Sequence, residues 1–493
     1  MLAWILFILY LIFTTYLGIL GSKKTSDFSS FAIGDGKMAP WMVGITLAAS
    51  TASAATFIVN PGFVYVHGLA AFMHLGLSVF IGIVFMLLLA SYKFRRIGKH
   101  LNAVTIPGWI GKRYNSKPFA IFFSLVNLMS FAFLVLLVGG ISIVMQKLLG
   151  ISNLSALLIT LVFVTSYVII GGTYAHVYTN LLQGSLMIIV SIIVFGSGLY
   201  LVMNQPDIWS QIANKDPNLL RLTNPDSTLY SDLFSVYISG FLIGAALVCQ
   251  PHILTKALYV DSDKSVTRYI IVFAIVYFIF TLLLLTGFWA LIQVPEQNLI
   301  EASTGNFRQD LVMTEYLNIM FPEWLFTFIS IVLLAAAMST LDGLMVGLST
   351  ITSNDFWMNI RSKKTGDKDL QKEAHKVSHL VLVILAILTF AVTLNPPELL
   401  GVFGQVGVYA LVLTSLPAIV NGIFFQEPSV KIIWPASVLA FAIYIILYWK
   451  GADIFGHITS FANPAVPAGI AILLTSLPAF LIQLSKEKKY SHG

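Results

Sequence analysis

Two hydroxyl side chains and one carboxylate lie inside a strongly apolar stretch of this sequence, residues 324–355. Ser339 and Thr340 are adjacent, and Asp342 follows three residues after Ser339, so Ser339 and Asp342 project from one face of a helix. The backbone carbonyl of Ala336, one turn earlier, can join the two hydroxyls as a ligand. Oxygen ligands without thiol or imidazole suit a hard cation. The pattern predicts a buried cation site, in which a monovalent ion needs no carboxylate.

Asp342 has two interpretations at this stage. An ionisable group inside a membrane is costly and is a functional hypothesis by default. The alternative is that Asp342 lies close enough to the cytoplasm to be hydrated or paired with a lysine of a loop.

A second stretch, residues 44–62, reads GITLAASTASAATFIVNPG and is rich in small and hydroxylated residues. Such residues let neighbouring helices approach closely, and their hydroxyls need partners inside the protein. Pro61 and Gly62 near its end are expected to release backbone carbonyls, which are tolerated at membrane depth only against protein or a cavity. The stretch predicts either a site for a cation or polar solute, or a tight packing face between helices.

The elements that must position these residues are membrane spans. The chain is 57% hydrophobic and 10% charged, whereas soluble domains carry about 25% charged residues. We therefore predict an all-α polytopic membrane protein. Its single cysteine, Cys249, excludes a disulfide framework. Thirteen spans are predicted at 2–21, 39–66, 69–93, 119–149, 154–171, 175–203, 231–257, 269–294, 324–355, 377–395, 399–425, 430–449 and 463–485.

The basic residues predict the orientation of these spans. Most lysines and arginines fall on one side if the first span, interpreted as retained and not as a signal peptide, starts outside. Because basic residues concentrate in cytoplasmic loops, we expect the N-terminus outside and the C-terminus in the cytoplasm. The basic net charge is then a topology signal, and no nucleic acid partner is expected.

Two interrupted spans run in opposite directions. The span 39–66 runs outward, and 231–257, broken at Gln250-Pro251-His252, runs inward. Each opens a block of five spans, which is the pattern of a secondary transporter built from an inverted repeat with its site between broken helices. The predicted units are 1–38 with the first span, the repeats 39–203 and 231–425, the outer loop 204–230, and 426–493 with the last two spans.

Several segments resemble the sodium/solute symporter family. They are AAAMST at 335–340, QPHIL at 250–254, residues 48–62, IIGGTYAHVYTNLLQG at 169–184 and NAVTIPGWIGKRY at 102–114. The resemblance covers essentially the whole chain. It implies a LeuT-type five-plus-five inverted repeat with one span before it and two after it. It also implies a symporter in the cell (inner) membrane, with the sodium ion as its cofactor.

The family's ion and solute sites can be transferred residue by residue. The resemblance places the main sodium site on the carbonyls of Ala49, Ala52 and Ala336 and the hydroxyls of Ser339 and Thr340. Many members carry an aspartate where this chain has Asn180. We therefore expect either a second sodium site at Thr51, Asn180, Ser339 and Asp342, with the carboxylate moved to another helix, or a single coupling ion. The implied substrate-binding residues are Thr51, Ser53, Thr56, Gln250, His252, Gln405 and Tyr409.

The substrate is expected to be a small polar solute that carries a carboxylate. Ala55-Thr56 stands where sugar-transporting relatives place a charged or amide pair, which argues against a sugar. Three segments resemble the pantothenate and monocarboxylate branch: DSDKSVTR at 261–268, NPPELL at 395–400 and NPAVPAGIAILL at 463–474. QPHIL with Pro61-Gly62 also resembles the proline branch. The partners are the solute and the lipid bilayer, and no obligate protein partner is evident.

Three alternatives remain open from the sequence. The strongest is a proton-coupled carrier of the same fold that uses Asp342 as its titrating group. A sodium-gated sensor usually carries a soluble signalling domain, which this chain lacks. An intramembrane enzyme using His252 and Asp342 lacks a nucleophile or cofactor motif, so we expect no enzyme.

Overall fold

A computed structural model describes residues 1–23, 33, 36–300, 305–358, 367–397, 399–456 and 458–491, and this part is almost entirely helical. Twelve described helices are long and apolar enough to span a membrane, and one bent pair brings the total to 13, as predicted. They are α1 (Leu2–Ser22), α2 (Pro40–His67), α3 (Leu69–His100), α4 (Lys117–Leu149), α5 (Asn153–Ile170), α6 (Thr173–Asn204), α7 (Phe234–Leu247 with Pro251–Tyr259), α8 (Asp263–Gln293), α9 (Glu323–Trp357), α10 (Glu373–Thr393), α11 (Leu400–Phe424), α12 (Val430–Phe455) and α13 (Ala465–Glu487).

Burial separates central helices from peripheral ones. In the most apolar 18 residues of each span, 78% of α2, 83% of α9 and 89% of α11 are buried, against 22% of α1 and 28% of α10. Because lipid is as apolar as a leucine side chain, the outer helices can expose their apolar faces without penalty. The helices that carry the predicted hydroxyls and small residues therefore form the middle of the bundle.

The backbone of α2 breaks at Ser53, not at Pro61 and Gly62 as the sequence suggested. Ser53 has φ 55° and ψ −175°, and its side-chain oxygen accepts the backbone N–H of Ala55 at 3.1 Å. Pro61 stands in the first turn of the helical segment Asn60–His67, where its missing N–H is tolerated. Gly62 instead permits a close contact, because a Cβ there would lie 2.0 Å from the carbonyl oxygen of Gln309.

The break in α7 lies where the sequence predicted it. Phe234–Leu247 and Pro251–Tyr259 meet at 64°, with Gln250 extended and Pro251 opening the second half. The first half crosses α3 very closely. A Cβ on Gly244 would lie 2.3 Å from the carbonyl oxygen of Val79, and one on Gly82 would lie 2.2 Å from that of Phe241. Only glycine fits this crossing without displacement of a helix.

Outside the spans, short helices cover both ends of the bundle. Val312–Met320 follows the loop after α8, and its residues Val312–Leu317 are buried. Ile106–Arg113 follows α3, and Thr105 caps it by accepting the N–H of Gly108 at 3.0 Å. The boundaries of the two five-span blocks stay a prediction.

Candidate functional site

Helices α2 and α9 meet through hydroxyl and carbonyl oxygens that are completely buried. The Ser339 hydroxyl lies 3.1 Å from the carbonyl oxygen of Ala49 and 2.7 Å from that of Ala336. The Thr340 hydroxyl donates to the carbonyl of Ser50 at 2.8 Å. A serine hydroxyl has one hydrogen, so Ser339 can satisfy one of its two carbonyl neighbours well. These oxygen ligands fit a monovalent hard cation, which could bind the Ser339 hydroxyl and the Ala49 and Ala336 carbonyls at the same time.

Ala52, the remaining residue of the predicted sodium set, lies beside this group at the break of α2. Its carbonyl accepts the N–H of Ala55, across Ser53. The structure thus brings Ala49, Ala336 and Ser339 into direct contact and places Thr340 against the neighbouring Ser50 carbonyl. The hydrogen bonds do not link the Ala52 carbonyl to the other ligands.

Of the predicted second sodium set, the structure joins Asn180 to Ser339, whereas the Thr51 and Asp342 side chains are hydrogen-bonded elsewhere. The Thr51 hydroxyl donates to the Leu47 carbonyl at 2.7 Å, and Thr51 faces the central cavity. Successive residues of a helix point about 100° apart, so Ser50 faces α9 while Thr51 turns away from it. Asn180 donates to the Ser50 hydroxyl at 2.9 Å and to the Ser339 carbonyl at 2.8 Å.

Asp342 belongs to a separate polar cluster between α9, α5 and α6. Its carboxylate lies 2.8 Å from Nδ1 of His176, and it accepts from the Tyr167 hydroxyl at 3.1 Å and the Thr179 hydroxyl at 3.3 Å. Asp342 is 0% exposed. It therefore lies away from the surface and from the loop lysines, and it is hydrogen-bonded to a histidine of the bundle interior.

All seven predicted substrate-binding residues line one cavity of about 90 Å³ beside the breaks of α2 and α7. They are Thr51, Ser53, Thr56, Gln250, His252, Gln405 and Tyr409. The side chains of Gln250 and His252 are each 4% exposed, and Oε1 of Gln250 and Nδ1 of His252 have no hydrogen-bond partner. One acceptor and one ring nitrogen are therefore free to bind a polar solute.

The cavity wall has a second, apolar component. Phe133, Tyr277 and Val408 line it together with the polar side chains. Ala52 also lines it, although its carbonyl belongs to the predicted sodium set. The cavity and the predicted sodium set therefore share the part of α2 that precedes its break at Ser53.

Sequence reasoning missed three residues of this region. Ser50 joins α2 to α9, α6 and α7, and its place between Ala49 and Thr51 in a hydroxyl-rich run was the available signal. The second is His176, which faces the Asp342 carboxylate. The third is Lys256, which is 0% exposed and donates to the carbonyl of Thr46 at 2.8 Å.

Comparisons with known proteins agree with this architecture. A family model described as the sodium:solute symporter family matches residues 31–429. A sodium/pantothenate symporter of Haemophilus influenzae is 26% identical, over 96% of this chain and 94% of its own length. The sodium/pantothenate symporter of Escherichia coli is 23% identical over the same shares. An uncharacterised symporter of Bacillus subtilis is 24% identical over 87% of this chain and 82% of its own.

Solved structures share the fold. A Na⁺-coupled sialic acid symporter, in a substrate-bound outward-open state, has a TM-score of 0.76 with 17% identity over 98% of each chain. A transporter of the nucleobase-cation-symport-1 family, in a closed conformation, has a TM-score of 0.52 with 12% identity over 92% of this chain and 94% of its own. The predicted LeuT-type fold is confirmed.

Proposed function

We propose that this chain, which belongs to the sodium:solute symporter family, imports a small carboxylate-bearing solute. The inward sodium gradient would drive the import, and the solute would pass through the cavity beside α2 and α7. The observation that carries this proposal is the sharing of α2. Ala52 lines the solute cavity, and the neighbouring Ala49 carbonyl contacts the Ser339 hydroxyl. An ion bound between α2 and α9 would therefore fix the backbone on which the solute rests.

Sodium would act by linking α2 and α9 at the point where both helices contribute oxygen ligands. Bound among Ala49, Ala52, Ala336, Ser339 and Thr340, the ion would favour the conformation in which the cavity is formed. Departure of sodium to the cytoplasm would release α2 from α9 and weaken the solute site. Coupling of the two fluxes requires only that sodium and solute each bind one conformation better than the other.

The side chains that line the cavity are uncharged polar and apolar groups, which favours an amphipathic solute. Its polar lining consists of hydroxyl, amide and imidazole groups, and its aromatic lining suits an apolar body. Lys256 does not line it, so a carboxylate would be bound by the neutral donors and by the charge of the bound sodium. Two relatives are named sodium/pantothenate symporters, and pantothenate, which has amide, hydroxyl and carboxylate groups, is therefore the first candidate. Proline and monocarboxylates are the next.

We place the protein in the cell (inner) membrane with its N-terminus outside and its C-terminus in the cytoplasm. The support is the distribution of basic residues.

The test is uptake into proteoliposomes of radiolabelled pantothenate, proline, pyruvate, lactate, acetate, glucose and sialic acid. Each solute is offered under an inward sodium gradient and under an inward proton gradient without sodium. We expect sodium-dependent uptake of one carboxylate-bearing solute, lost in the Ser339→Ala/Thr340→Ala variant. Ser330→Ala is the matched control, because this buried hydroxyl of α9 has no hydrogen-bond partner. Uptake driven by protons alone would reject sodium coupling and make Asp342 the residue to study.

A further inference from the structure

Lys256 in the second half of α7 is a buried cation without an adjacent carboxylate. Its ammonium nitrogen donates to the Thr46 carbonyl at 2.8 Å and to the Ser50 hydroxyl oxygen at 3.0 Å. Within the described residues no carboxylate oxygen lies within ion-pair distance of it, and the Asp342 carboxylate is hydrogen-bonded to His176. A buried charge is expensive unless it is paired or well hydrogen-bonded. A completely buried lysine at this position therefore calls for a functional reason.

The acceptors of Lys256 belong to a cluster of oxygens on α2 and α9. The cluster consists of the Thr46 carbonyl, the Ser50 hydroxyl and the Ser339 carbonyl, and it faces nitrogen donors from two other helices. Asn180 of α6 donates to the Ser50 hydroxyl at 2.9 Å and to the Ser339 carbonyl at 2.8 Å. Its own amide oxygen is buried without a partner. The Lys256 ammonium and the Asn180 amide thus donate hydrogen bonds to three oxygens of α2 and α9.

This cluster adjoins the proposed sodium ligands. Ser50 follows Ala49 directly, and Ser339 contributes its hydroxyl to the sodium set and its carbonyl to the cluster. Carbonyl and hydroxyl oxygens are the ligands that a monovalent hard cation takes. With a carboxylate at position 180 and an uncharged side chain at position 256, the same oxygens would form a second cation site.

We propose that the Lys256 ammonium, assisted by the Asn180 amide, takes the place of a second coupling cation, so that this chain binds one sodium ion. The inference rests on the proposed sodium-coupled function and adds its stoichiometry. A cation carried on α7 links α7 to α2 as a bound ion would, but its charge remains with the protein during the cycle. Asn180 is neutral because an aspartate there would pair with the ammonium and lock α6 to α7.

The test counts sodium ions bound by the purified protein, with ²²Na⁺ as the only ligand, so that no solute needs to be known. We expect one saturable ion per wild-type chain with a Hill coefficient near one. Asn180→Asp alone should still bind one, because its carboxylate pairs with Lys256. Lys256→Met/Asn180→Asp should bind two, with a Hill coefficient above one. Lys256→Met/Asn421→Asp, with the carboxylate at another buried amide, should bind one.

Each outcome decides the point. Two ions in the wild-type chain, or two in Asn180→Asp while Lys256 is present, would overturn the inference and leave sodium coupling intact. A folded double variant, shown by a monodisperse elution profile and wild-type affinity for the first ion, that still binds one ion would also overturn it. A wild-type chain that binds no sodium would contradict the proposed sodium coupling itself, and this inference with it.

Discussion

At the scale of single residues, Ser339 and Asp342 lie one turn apart on α9 and have different chemistry. The Ser339 hydroxyl has two carbonyl neighbours but only one hydrogen, so one carbonyl oxygen is left without a good hydrogen bond. This group of oxygens suits a cation. Asp342 already accepts hydrogen bonds from Tyr167 and Thr179 and pairs with His176. The protein therefore already engages these carboxylate oxygens, and we expect Asp342 to have a structural role in the interior of the bundle.

Asp342→Asn should leave the number of bound sodium ions and the sodium affinity unchanged within about twofold. Asp342→Ala should lower the thermal unfolding temperature, because it leaves the buried His176 and Tyr167 side chains without this hydrogen-bond acceptor, which costs about 1–3 kcal/mol per group. The measurements are ²²Na⁺ binding and thermal unfolding in detergent. Asp453→Ala is the control, since the Asp453 side chain is 70% exposed. A lower sodium count in Asp342→Asn would make Asp342 an ion ligand.

Ser53→Gly should raise or preserve the unfolding temperature, and Ser53→Val should lower it. The φ and ψ of Ser53, 55° and −175°, lie in a region that is populated almost only by glycine and costs about 1–3 kcal/mol for other residues. A β-branched side chain adds to that strain. Thermal unfolding of the two variants in detergent checks this, and equal unfolding temperatures would argue against a strained break at Ser53.

At the scale of helices, the sequence predicted the existence of the spans better than their internal breaks. Length and hydropathy predict all 13 spans because the bilayer imposes both. Gln250-Pro251 marked the break of α7 correctly, since proline cannot continue the preceding helix. Pro61 does not mark a break in α2, because proline is tolerated in the first turn of a helix. The break at Ser53 depends on contacts between helices that are distant in sequence, so no local pattern indicates it.

Gly244→Ala should lower the unfolding temperature and weaken solute binding. Its Cβ would lie 2.3 Å from the Val79 carbonyl oxygen, and overpacking of this kind typically costs about 1–3 kcal/mol. Val79 also lines the central cavity, so displacement of α3 should change the site. Gly196→Ala is the control, because no atom lies within 4 Å of its added Cβ. Equal unfolding temperatures in the two variants would contradict the close crossing of α3 and α7.

At the scale of the whole molecule, a buried centre of α2, α9 and α11 is surrounded by helices with apolar outer faces. The predicted substrate-binding residues come from three distant parts of the sequence and line one cavity. Resemblance to a family could supply these positions, whereas composition could not. The hydrogen bonds of Ser50, Lys256 and His176 were beyond prediction, because they depend on which faces of α2, α6 and α7 meet.

Cysteine labelling should establish the orientation in intact cells. The chain has one cysteine, Cys249, and it is buried, so the wild-type protein should not react with a membrane-impermeant maleimide. Asp207→Cys, in the exposed segment after α6, should be labelled from outside. Lys99→Cys, at the exposed end of α3, should be labelled only after permeabilisation. The reverse pattern would invert the orientation inferred from the basic residues.

The most direct measurement of sodium–solute symport is solute-driven sodium movement. Proteoliposomes with equal sodium on both sides receive a trace of ²²Na⁺ outside and an inward gradient of the transported solute, with the membrane potential clamped. Because coupling between two ligands is reciprocal, the solute gradient should drive ²²Na⁺ accumulation, and Ser339→Ala/Thr340→Ala should abolish it. Solute entry without ²²Na⁺ accumulation would contradict sodium symport by this protein.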